Sequence, residues 1–459
     1  MMARQSHRQS RRRVLSILAT AGSLGLAGCF GENDPTTETN TTKPSNSTDQ
    51  PTKTNETTDT EQALDEESWD ETVRNGKTHY TDDPNWRMLG HDTGNSFINP
   101  HAEGPSDNPS VQWTIEGVTT AIFDGYRYHH PLIVDGTVYT TVESEATRAS
   151  EEESNWEFLS ANAETGQTET VFEADDKIYH PTIVDGTVYV AVGGTVRAYD
   201  LDTGLEQWRQ ELSTIAGVSA IRIVDDVVIA TRAAIYSLAI GTEYPHIWGF
   251  DAATGELLWK ESRKEVGRLS RLPIISDGAV RATDMLTARA LQTGDVLEEL
   301  PMETLYTTLR DGTVYGLTNG KDKSGLVSYD WSTLETNWTY SPEGNRKISA
   351  GWPVVLDGII VVKIGRDGLV GLDRDTGKRI WHTPNPWDDY LSSFFRVATQ
   401  ETVYIVHDGG AATALDPTDG SFDWKLRTDE MGWNPVQGCA LADDLLVTVG
   451  HGGTLYAIS

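Results

Sequence analysis

The chain has 459 residues, 69 acidic side chains against 37 basic ones, and a formal net charge of −32. A surface of that sign repels nucleic acid and anionic lipid headgroups and argues against both as partners. With two cysteines, Cys29 and Cys439, a disulfide scaffold is excluded as well.

The first segment, residues 1–28, reads as a targeting signal rather than as part of the fold. Ser10-Arg11-Arg12-Arg13-Val14-Leu15 fits a twin-arginine export signal, with Arg11 and Arg12 as the pair. An apolar run from Val14 to Leu26 follows, too short and too rich in Gly, Ala and Ser for a membrane span. It ends in Leu26-Ala27-Gly28-Cys29, which resembles a lipoprotein box with Cys29 as the lipidated residue. The leader holds five of the 37 basic residues and none of the acidic ones, so the remainder carries a charge of about −37. If Cys29 is lipidated, Cys439 stands alone on an inner strand as a small buried apolar residue.

Residues 29–68 read as a tether. Thr, Asn, Ser, Glu and Asp dominate, and such a stretch buries too little apolar surface to fold. It carries the glycosylation sequons of Asn40, Asn46 and Asn55; a further sequon starts at Asn337. Residues 69–110, with Gly, Asn and Pro, read as an ordered strap leading into the repeats.

From about residue 131 the chain repeats. Each unit opens with an apolar strand, a tight turn and a second apolar strand. The turns are Asp135-Gly136, Asp185-Gly186, Asp225-Asp226, Asp277-Gly278, Asp311-Gly312, Asp357-Gly358, Gln400-Glu401 and Asp443-Asp444. Asp-Gly between two β-rich runs is a strong hairpin signal, because a type I′ turn needs positive φ at both central residues. The second half of the unit is a strand, Thr-Gly, and a strand bearing Trp. Ala198-Tyr199-Asp200-Leu201-Asp202-Thr203-Gly204 with Trp208 is one example; Thr254-Gly255 with Trp259, Thr376-Gly377 with Trp381 and Asp419-Gly420 with Trp424 are others. Phe172, Leu297 and Leu334 mark departures in the first, fourth and fifth units. Four strands repeating at 35 to 50 residues make a propeller blade. The predicted fold is therefore an all-β, eight-bladed propeller of four-stranded antiparallel blades over residues 111–459. The last unit lacks its outer strand, and Val111-Gln112-Trp113-Thr114-Ile115 is predicted to supply it and close the ring.

The pattern A-x-D-x-x-T-G-x-x-x-W resembles the PQQ-type propeller repeat, and with the lipoprotein box the chain resembles BamB-like lipoproteins. The acidity, spread along the chain, resembles proteins of halophilic archaea. The resemblance implies a non-catalytic, membrane-anchored scaffold, a monomer, that meets protein partners at the cell surface and needs no cofactor. Two alternatives stand beside it: a quinoprotein dehydrogenase binding PQQ with calcium, and a carbohydrate-binding propeller. Against the dehydrogenase, the chain has no adjacent cysteine pair and no haem-attaching C-x-x-C-H.

Asp-Gly and Thr-Gly turns are predicted on one face and the longer, variable loops, including Glu143–Asn155 and Thr231–His246, on the other. The residues just before the inner strands ring the predicted channel mouth: Tyr126, Tyr128, His129, His130, Tyr179, His180, Arg271, Trp352 and Trp433. Such an aromatic rim with a few polar groups is the candidate binding site. No catalytic residue and no metal-ligand set is predicted; the turn aspartates serve backbone geometry.

Overall fold

The structure, a computed structural model, describes residues 75–459 apart from 107, 119–121, 124–125, 128–129, 144–154, 213–217, 219, 233–244, 263–271, 283–286, 300–303, 320–323, 345, 350, 366, 386–392, 408–410, 428–437 and 451–452. The export signal with Arg11 and Arg12, Cys29, and the sequons of Asn40, Asn46 and Asn55 lie outside the described residues.

Each repeat folds as expected. In blade 2, the strands Ile178–Val184, Thr187–Val192, Thr195–Asp200 and Glu206–Glu211 pair in sequence order, all antiparallel. The other blades occupy residues 132–174, 220–262, 273–299, 304–340, 354–383, 393–427 and 439–458. Together they form the eight-bladed β-propeller the repeat predicts. Blade 8 has three strands of its own, and Val111–Ile115 adds beside Leu455–Ile458 to complete it. Ser110 and Ser459 exchange backbone hydrogen bonds at that seam. Both central residues of the turns at 135–136, 185–186, 225–226, 277–278 and 311–312 have positive φ, with Asp225 and Asp226 at 48° and 61°; in the last three turns only Gly358 and Asp443 do, and Gln400-Glu401 departs from the expected type.

A single blade leaves both faces of its sheet apolar, so the cores lie between blades. One joins blades 2 and 3 around Tyr189, Trp208 and Phe250, and another joins blades 6 and 7 around Val361, Trp381 and Ile405. The largest spans blades 7, 8 and 1 at the closure and takes in Trp86, Leu89 and Phe97 of the strap.

The geometry explains the repeat. Asp200 accepts hydrogen bonds on one oxygen from the Thr203 backbone N–H at 2.8 Å and its hydroxyl at 2.6 Å, which shapes the turn. Those bonds hold the carboxyl below the usual aspartate range, and Asp251 and Asp373 repeat the arrangement. The Thr-Gly glycine then takes positive φ and lies flat against the Trp of the preceding blade. A Cβ on Gly255 would stand 2.6 Å from the Trp208 ring, and one on Gly420 would meet Trp381 at 2.5 Å. The indole N–H donates to the carbonyl just after the turn aspartate, or after Ala290 where blade 4 lacks one: Trp208 to Ala252 at 2.8 Å, Trp259 to Leu291 at 2.8 Å, Trp381 to Pro417 at 2.7 Å. Each Trp thus clips its blade to the next.

The departures obey the same logic. Phe172 of blade 1 has no N–H to offer and instead stacks on Tyr199 of blade 2 with ring centroids 3.8 Å apart. Blade 4 has Glu298, rather than the expected Leu297, at the Trp position, opposite Ala288 as Trp208 stands opposite Ala198; blade 5, with no indole to receive, has Leu334 at the glycine position, at φ 58°.

Candidate functional site

The strap does more than lead into the first strand. Its N–H and C=O groups pair with the ends of the inner strands nearest the Asp-Gly turns. Ile133 donates to Trp86 O at 3.1 Å, Ile183 to Arg87 O at 3.0 Å, Ile275 to Thr93 O at 3.0 Å, Leu309 to Gly94 O at 2.8 Å, and Ala398 to Phe97 O at 3.0 Å. Glu103 and Gly104 both donate to Asp443 O, the place a Thr-Gly turn would take in blade 8. Pro105 O accepts the Trp424 indole at 3.2 Å, so the strap also supplies the missing clip. Residues 86–105 therefore cross the axis on the turn side and touch inner strands of blades 1, 2, 4, 5, 7 and 8.

Side chains secure the crossing. Asn95 donates to Thr307 O at 3.3 Å and accepts on Oδ1 from Arg222 Nη2 at 2.8 Å, which ties in blade 3. Thr93 Oγ1 donates to Ile275 O at 2.7 Å, and Asn99 Nδ2 to Leu441 O at 2.9 Å. Asp92 accepts from Gly94 N and Ser96 N at 2.9 and 3.0 Å, though burial still raises its pKa above the usual carboxylate range. Arg222 is fully buried, and desolvation pushes its pKa down to about 10.

The expected rim residues fall into two groups. His130, Tyr179 and Trp352 are 2%, 7% and 8% exposed, so they pack the axial wall rather than stand open at a mouth. Their neighbours explain this: the His130 and His180 rings approach to 5.8 Å, and Trp352 lies between Phe97 of the strap, at 5.2 Å, and the edge-on Tyr306, at 5.0 Å. His180 and Tyr306 occupy equivalent repeat positions. Both sit at β-bulges with φ near 50°, the device that swings a strand residue out of register. Tyr126 forms part of a small hairpin, Ile122–Phe123 with Tyr126–Arg127. Tyr128, His129, Arg271 and Trp433 lie outside the described residues. Asn337 is exposed on the outer strand of blade 5, its amide donating to Ser328 Oγ at 3.2 Å. Cys439 is buried, with its thiol pushed up to about 12 by burial. Among the described residues, no group of three or more His, Cys, Asp or Glu side chains is placed to hold a metal ion.

Sequence reasoning missed the charged members of the axial wall. Their signal is plain in retrospect: Arg222 and Arg396 interrupt otherwise apolar inner strands, Ala220–Val224 and Ser393–Ala398.

Buried histidines set an acid limit. Burial and the Lys363 charge hold His407 down at about 3, and burial with Arg222 holds His180 at about 4, against 6.5 in the unfolded chain. The unfolded chain binds these protons first, so the stability they contribute is whole above about pH 6.5 and falls as pH drops towards 3. Denaturation midpoints measured from pH 7 to 4 should decline, and His407→Asn should flatten part of that slope. An unchanged slope in the variant would contradict this.

The architecture defines a PQQ-type repeat propeller with an axial strap. A family model described as outer membrane protein assembly factor BamB matches residues 130–310 and again 303–459. The chain belongs to that family. It is 22% identical over 249 residues to outer membrane protein assembly factor BamB of Moranella endobia, a match covering 50% of this chain and 62% of the relative. This chain spans about three fifths of the length of the curated relatives it matches. Among solved structures, BamB from Moraxella catarrhalis superposes with a TM-score of 0.53 at 16% identity, over 76% of this chain and 99% of that one. A quinohemoprotein alcohol dehydrogenase from Pseudomonas putida also gives 0.53, at 12% identity, over 82% and 80%. At these identities both likenesses speak for the fold alone.

Proposed function

We propose that this protein is a non-catalytic binding scaffold, exported by the twin-arginine route and held by a lipid on Cys29 at the outer face of the cytoplasmic membrane. Its partners are proteins, met through the loop-rich propeller face, and no cofactor takes part. The observation that carries this reading is the filled axis. A planar cofactor at the centre of such a ring needs an open aromatic platform. Here the Trp352 ring is flanked by Phe97 and Tyr306, and the tryptophans of the repeat are spent on clipping blades together. The described residues therefore offer PQQ and calcium no fitting site, and no step is derived through them. Membership of a family described by an assembly factor supports an interaction role. The acidity, like that of halophile proteins, points to a cell without an outer membrane and hence to a different partner.

The dehydrogenase reading is tested directly. Residues 30–459 in high salt, mixed with PQQ and calcium, should show no saturable tryptophan quenching and no rise in melting temperature. A ligand of the folded state must raise that temperature by mass action. A saturable rise at micromolar PQQ would overturn the scaffold reading.

A further inference from the structure

Arg396 lies on the inner strand of blade 7 and is 5% exposed. Its Nη2 donates to the Trp352 carbonyl at 2.8 Å. Its Nε and Nη1, and the Trp352 Nε1, are buried and have no acceptor among the described residues. Every one of these groups is a donor only.

Three of the other buried arginines are treated differently, whereas fully buried Arg222 donates to the neutral Asn95 Oδ1. Arg197 faces Asp175 at 2.8 Å, Arg289 faces Glu261 at 3.3 Å, and Arg281 faces Glu298 at 3.9 Å while lying on the Trp331 ring. Among the described residues, no carboxylate lies within ion-pair distance of Arg396, in a chain with 69 acidic side chains to draw on. An uncompensated buried guanidinium is strongly unfavourable, and such charges are normally paired.

Two further basic side chains lie on the same face, of which His407 stays neutral down to about pH 3. Arg396 pairs across the sheet with Ile405, whose side chain enters the core between blades 6 and 7. His407, two residues on, shares that sheet face. From the other side, Lys363 alternates in step with Ile359 and Val361, which belong to the same core. Both are buried, and the Lys363 charge acts on His407.

We propose that Arg396 and Trp352 form an anion site at the axial end of the interface between blades 6 and 7, taking a halide or the carboxylate of a small ligand. The ligand must accept and not donate, and its charge offsets that of the guanidinium.

Bromide is the probe. Crystals of the protein grown in sodium bromide should show an anomalous peak within hydrogen-bond reach of Arg396 Nη1 or Trp352 Nε1; no peak there overturns the proposal. In solution, with ionic strength balanced by a bulky sulfonate, bromide should raise the melting temperature of the wild type saturably and leave Arg396→Met unmoved. A parallel rise in both proteins also overturns it. If Arg396→Met does not fold, the crystal result on the wild type decides alone. Acetate that displaces the bromide peak assigns the site to carboxylates, and acetate that leaves it in place assigns it to halides; either upholds the site.

Discussion

A chain beginning at residue 106 is expected not to fold cooperatively, although it keeps every blade strand and the closing strand Val111–Ile115. Removing the strap leaves the backbone N–H groups of Ile133, Ile183, Ile275, Leu309 and Ala398 without their acceptors. Each buried orphan costs about 1–3 kcal/mol. Five of them, with Arg222 deprived of Asn95, reach the whole net stability of an ordinary domain, about 5–15 kcal/mol. The strap also takes Trp86 and Met88, both fully buried, out of the core. A gentler version is Gly94→Ala, whose Cβ would stand 2.4 Å from Leu309 O and 2.8 Å from Thr78 Cγ2. Urea titrations in high salt check both. A sharp transition at the wild-type midpoint in the truncated chain would contradict the role given to the strap.

Trp381→Ala should cost about 3–5 kcal/mol, the range for emptying a large aromatic site. The ring sits in a slot between Gly371 of its own blade and Gly420 of the next, where added Cβ atoms would approach it to 2.2 and 2.5 Å. Its N–H holds Pro417 O at 2.7 Å, and that carbonyl would be left unpaired. Trp381→Phe keeps part of the ring but loses the hydrogen bond and the rest of the indole, so its midpoint should fall between the two. A loss below about 1 kcal/mol for Trp381→Ala would mean the indole is not the clip between blades 6 and 7.

These two effects differ in how far the sequence announces them. The clip is local and repeated: Asp, Thr, Gly and Trp recur at fixed spacing, and each type answers one geometric need. The blade count, the closing strand and the shared face of the two turn types follow from that pattern. Ala252 N donates to Asp226 O and Arg374 N to Gly358 O, which puts both turns on one face. The strap has no such periodicity. It links residues hundreds of positions apart, as Glu103 does with Asp443, through backbone groups whose identity sequence does not encode. Its course depends on His91, Asn95 and Phe97 at positive φ, of which Phe97 gives no hint of that conformation and the other two only a weak one. Once it fills the axis, His130, Tyr179 and Trp352 become wall residues instead of an open rim. The aromatic character of the rim was legible; its burial was not.

The measurement that bears most directly on the proposed function compares the two faces in living cells. A photo-crosslinking residue is placed at Asp176 or Glu343, exposed in connections between blades, and in parallel at Asp185, exposed in an Asp-Gly turn of the opposite face. The scaffold reading expects a discrete protein adduct in the membrane fraction from Asp176 or Glu343 and none from Asp185. Adducts from Asp185 alone, or the protein recovered in the soluble fraction with no adduct from any position, would contradict it.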